Sequence, residues 1–152
     1  MDKLKEFYKF MLDYTAFFEG LLDDEKQKLE AVLSYNLKEL EQSVSMQQAA
    51  VMKLESMEKR REELQNQAGY EGKTFKEILA DVDEESSKAL GDVFHRLEDA
   101  ISMIKFYNQK SMDVVKLNLN TINDSTSAET QGYTNKGHSG GYMGSSVFET
   151  KI

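Results

Sequence analysis

Three long apolar stripes, each stepping by three and four residues in a chain without a single proline, most constrain what this sequence can fold into. Steps of three and four return side chains to one face of an α-helix. A globular domain of 152 residues at average usage carries about seven or eight prolines, and turn-rich β architectures lean on them. The pattern therefore predicts an all-α chain. Hydrophobic residues supply 39% and charged residues 30%, a balance that suits amphipathic helices and leaves no thick multilayer core.

The first stripe, Leu4, Phe7, Tyr8, Met11, Tyr14, Phe18, Leu21 and Leu22, resumes at Leu29 and Val32 after a polar run and predicts a helix over residues 3–34. Tyr35 and Asn36 read as a short break, with Asn36 as N-cap and Glu39 at capping-box spacing. Leu37, Leu40, Val44, Gln47, Val51, Leu54, Met57, Arg61 and Leu64 form the second stripe. Its polar members and shifted heptads favour packing against sister helices over a long supercoil. Gly69 and Gly72 stop it.

Thr74 and Glu77 repeat the capping-box spacing ahead of a short helix with Phe75, Ile78, Leu79 and Val82. The third stripe runs from Leu90 through Phe94, Leu97, Ile101 and Ile104 to Val114, Val115, Leu119 and Ile122, predicting a helix over residues 84–122. Ser, Thr and Gly dominate after Asn123. Together these features predict an elongated antiparallel bundle of three long helices in residues 1–123, a short connecting helix, and a flexible C-terminal tail over residues 124–152. The tail carries Tyr133, Tyr142, Met143, Val147, Phe148 and Ile152, spaced too widely to pack on one another and suited to docking elsewhere.

The charge and the rare residue types exclude several functions. With 19 basic and 27 acidic residues the net charge is -8, which repels nucleic-acid phosphates. No cysteine is present for a disulfide, a thiolate nucleophile or a thiolate zinc site, so a reducing cytoplasmic setting is expected. No apolar run suits membrane insertion or a signal peptide. His95 and His138 are too sparse for a metal centre or a catalytic triad, and no cofactor is expected. Residues 132–137 have the glycine spacing of a phosphate loop, but His138 stands where lysine is needed. Asp23, Asp24 and Glu25, like Asp83, Glu84 and Glu85, read as solvated helix turns, and Met46, Met52, Met57, Met103 and Met112 mainly as core filling.

At about 1.5 Å per residue the third helix outruns the second by one to two turns or more, so apolar surface beyond Ile104 is expected to project and to invite a partner's amphipathic helix. Cover by the first helix or by a second copy is the alternative, and pairing of two copies stays open.

The whole pattern resembles the FlgN-type flagellar export chaperones. The resemblance rests on residues 36–41 and 54–64, on Asn108, and on the tail pieces 132–137 and 147–152. Three residues after Asn108 the family often has a second Asn, where this chain has Ser111. The resemblance implies a cytoplasmic, non-enzymatic chaperone of flagellar type III secretion. It binds helix-prone C-terminal segments of hook-associated junction proteins, prevents early assembly, and delivers them to the cytoplasmic domain of the export gate. By position it implies client binding at Ile104, Val115, Leu119 and Ile122 and gate docking at Tyr133. The competing reading is a structural, self-associating coiled-coil protein.

Overall fold

A computed structural model of the chain describes residues 2–126, and these are helical with short connections. The elements are α1 (Asp2–Leu33), α2 (Leu37–Gln67), α3 (Phe75–Asp81) and α4 (Glu84–Thr126). Their boundaries follow local chemistry. The Asn36 side chain accepts from the Glu39 amide at 3.1 Å and starts α2. Thr74 and Glu77 close a reciprocal capping box on α3, each bond 3.1 Å. Asp83 accepts from the Ser86 amide at 3.0 Å at the head of α4. Gly69 and Gly72 take φ of 90° and 73°, the left-handed turns that let the chain leave α2. At its far end α4 continues to Thr126, past the boundary expected at residue 123.

Cross-helix contacts set the direction of the chain. The Phe7 and Phe94 rings meet edge to face at 6.4 Å, the Lys26 ammonium lies 5.6 Å over Tyr107, and the Tyr35 hydroxyl donates to Asn118 at 3.3 Å. Residue numbers rise together, so α1 and α4 run parallel. Tyr14 pairs with Glu58 and Glu25 with Gln47, so α2 runs the other way. The middle element in space is α1: it packs along both α4 and α2, which have almost no close backbone approach to each other.

The lower part of the molecule holds most of the apolar core. Phe7, Met11, Ile78, Leu90, Leu97 and Ile104 are fully buried there. Truncating one such side chain to alanine costs about 2–5 kcal/mol. Below them α3 closes the end, with Phe75 stacked on Phe94 at 4.1 Å and the Arg61 guanidinium 5.9 Å from the Phe75 ring.

Polar residues on and beside the α2 stripe are buried or half-buried and hydrogen-bonded. Arg61 grips Glu58 through Nε at 2.9 Å and Nη2 at 2.6 Å, and Glu58 also accepts from the Tyr14 hydroxyl. Burial, reinforced by Glu58, pushes the Tyr14 hydroxyl well above its ordinary pKa, so it remains a donor. Arg61 also donates to Gln65, whose amide reaches the carbonyls of Tyr70 and Lys73 at 2.9 and 2.8 Å and anchors the connection to α3.

Candidate partner-binding surface

A buried polar layer crosses the bundle at mid-height. Lys28 of α1 spends its three donors on Glu25 at 3.0 Å, Gln47 of α2 at 3.3 Å and Asn108 of α4 at 3.0 Å. Gln47 in turn donates to Glu25. Glu25 is therefore not part of a solvated acidic turn, as its neighbours suggested; the 3 to 4 spacing that aligns it with Lys28 also turns it inward. Burial raises its carboxyl pKa above the ordinary range, even against the opposing pull of Lys28.

Above this layer the packing opens. Leu37 is 67% and Val44 38% exposed on α2, while Leu40 and Val51 are half-buried. On α4, Met112, Val114, Val115 and Leu119 are half-buried. The lateral contacts of α1, Lys26 on Tyr107 and Lys53 of α2 on Phe17, mark the outer edges of its two interfaces. At 100° per residue, Leu40, Val44 and Val51 lie on the opposite flank of α2, and Met112 and Leu119 on the opposite flank of α4. These flanks border the seam between α2 and α4. The result is an apolar groove, partly filled, with α1 as its floor.

The structure divides the residues expected to bind a client. Ile104 is fully buried in the core, a correction to its expected role: it lies below the opening, where α1 and α4 pack tightly. Val115 and Leu119 border the groove, half-buried. Ile122 lies in the last turns of α4, and Tyr133 lies outside the described residues. Nor does α4 stand alone beyond Ile104, because α1 and its turn accompany it as far as Asn118. Leu40, Val44 and Val51 complete the groove from α2; they stand in the α2 stripe, but the stripe alone does not tell which part of it lacks a covering helix.

The methionines correct a second expectation. Met46, Met52 and Met103 are 53%, 73% and 40% exposed rather than core-filling, because none of the described helices packs over the faces that carry them. His95 is a surface residue 3.3 Å from Asp99.

Among the described residues no helix is long and apolar enough to cross a membrane, and no group of three or more His, Asp or Glu is arranged to hold a metal ion. What the site offers is apolar surface of helical length. The family model described as FlgN protein matches residues 1–141. The chain belongs to the FlgN family. The FlgN match covers all four helices and runs beyond the described residues, so it takes in the groove as a whole. FlgN proteins are flagellar chaperones. No curated protein and no solved structure matches the chain.

Proposed function

We propose that this FlgN-family protein is a cytoplasmic export chaperone that takes up the helix-prone C-terminal segment of a hook-associated junction protein in the seam between α2 and α4. The single observation that carries the reading is the FlgN match across residues 1–141, which includes every helix that builds the groove. The half-open seam supports it physically. A client helix laid against Val44, Val115 and Leu119 completes apolar burial that the chain itself leaves unfinished, at about 25 cal/mol for each Å² removed from water. Occupying that helix blocks its use in polymerisation. Partial burial of the site before binding keeps the gain moderate, which suits a client that must be released.

In this reading Val115, Leu119 and Ile122 contact the client, and Tyr133 docks the loaded chaperone on the cytoplasmic domain of the export gate. Titration of a client C-terminal peptide tests it. Val44→Asp and Leu119→Asp weaken binding at least about 100-fold, since each forces a carboxylate against an apolar helix, while circular dichroism stays unchanged. Tyr133→Ala leaves peptide affinity intact and reduces capture by the gate domain. Unchanged affinity in both aspartate variants refutes the groove, and loss of peptide binding in Tyr133→Ala refutes the separation of roles.

A further inference from the structure

A second apolar stripe lies on α4, on the side away from the core. Met103, Phe106 and Leu117 are 40%, 49% and 65% exposed, and Val114 beside them is half-buried. At 100° per residue these four fall within a sector of about 80°, centred about 120–140° around the helix from Leu97 and Ile104. The Lys110 ammonium lies 5.2 Å over the Phe106 ring and stands within the same sector, so its stem adds apolar surface. The stripe is about 21 Å long and faces away from the seam, so it is independent of the client reading.

We propose that residues 142–152 of this same chain dock along the Met103, Phe106 and Leu117 stripe. Tether length is the first argument. The stripe begins about 13 Å back along α4 from Thr126 and ends about 35 Å back. Residues 127–141 separate Thr126 from the docking segment, and eight of these fifteen are Gly, Ser or Thr. A Gly/Ser-rich chain of that length has a root-mean-square span of about 21 Å, within the distance range of the stripe. A tether matched to its target gives an effective concentration on the order of millimolar.

Composition is the second argument. Residues 142–152 include Tyr142, Met143, Val147, Phe148 and Ile152, five apolar side chains in eleven positions. Charge is the third. Residues 127–152 contain two Glu and two Lys, so the segment approaches without net repulsion, whereas a second copy brings -8 against -8. The docked segment covers the stripe and draws residues 127–141, with Tyr133 among them, into a loop fixed at both ends.

The absence of cysteine allows a direct test in the full chain. Asp113→Cys, exposed beside the stripe, is combined with Ser146→Cys and oxidised at low protein concentration. An internal disulfide is expected to form about tenfold faster than in a control pairing Ser146→Cys with Lys59→Cys on the exposed surface of α2. Adding Phe148→Asp is expected to remove that advantage, with circular dichroism unchanged. Cross-links only between chains assign the stripe to a second copy and overturn the proposal. Equal rates in the test and control pairs, or no cross-link in either, overturn it as well.

Discussion

Lys28 of α1 and Asn108 of α4, 80 residues apart in the chain, meet at 3.0 Å inside the bundle, with Glu25 and Gln47 completing the lysine's coordination. The arrangement ties three helices at one level, and its cost is the desolvation of an ion pair. Lys28→Met alone leaves Glu25 buried without its cation and is expected to destabilise by about 3–5 kcal/mol. The double variant Glu25→Leu/Lys28→Met is expected to recover most of that loss, because an apolar layer avoids desolvating either charge. Urea unfolding at pH 7 of the two single variants and the double variant measures the coupling.

The same carboxyl predicts a pH dependence. Burial raises its folded pKa above the ordinary 4.5, so the folded state holds its proton at pH values where the unfolded chain has released it. Its contribution is therefore most favourable at and below about pH 4.5 and declines as pH rises through the folded value. The Tm of the wild type minus that of Glu25→Gln is expected to fall between pH 4.5 and 7. A difference that grows over this range contradicts the assignment.

Tyr35 turns the chain from α1 into α2 with φ of 57°, in the left-handed region, although it has a bulky side chain and is 78% exposed. Asparagine adopts this conformation more readily. Tyr35→Asn is expected to stabilise by about 0.5–1 kcal/mol, or roughly 1–4 °C in Tm, since the surrendered hydrogen bond to Asn118 is long and solvated. Thermal unfolding followed by circular dichroism checks this.

Ser111 is 3% exposed, and among the described residues its hydroxyl has no hydrogen-bond partner. Ser111→Ala removes the unpaired group while preserving shape, and is expected to stabilise by about 1 kcal/mol. A loss of stability in the alanine variant reveals a bond the hydroxyl does make.

Helix positions were legible in the sequence because they depend on near neighbours. The stripes, Asn36, the pairing of Thr74 with Glu77, and the glycines after α2 mark elements within a few residues of where they stand. Coverage was not legible, because it depends on residues far apart in the chain. Phe106 and Leu117 stand exposed while Ile104 does not, and this follows from α1 lying alongside one face of α4 as far as Asn118. Glu25 was hidden for the same reason: its acidic neighbours suggest solvent, while its partners Gln47 and Lys28 lie toward the interior. Val115 and Leu119 stand out in the sequence because they fall on the regular stripe; the outward stripe does not, because Lys110 interrupts it and its members are spread over fifteen positions.

With its greasy interior gathered at one end and a polar quartet set across its waist, the molecule has the form of a handle joined to a pair of jaws. The Arg61 and Phe75 clasp closes the handle; under the proposed function, a client helix seated between the jaws disturbs only the opening turns of α2 and the late turns of α4. Release under that proposal leaves the hold-fast below intact.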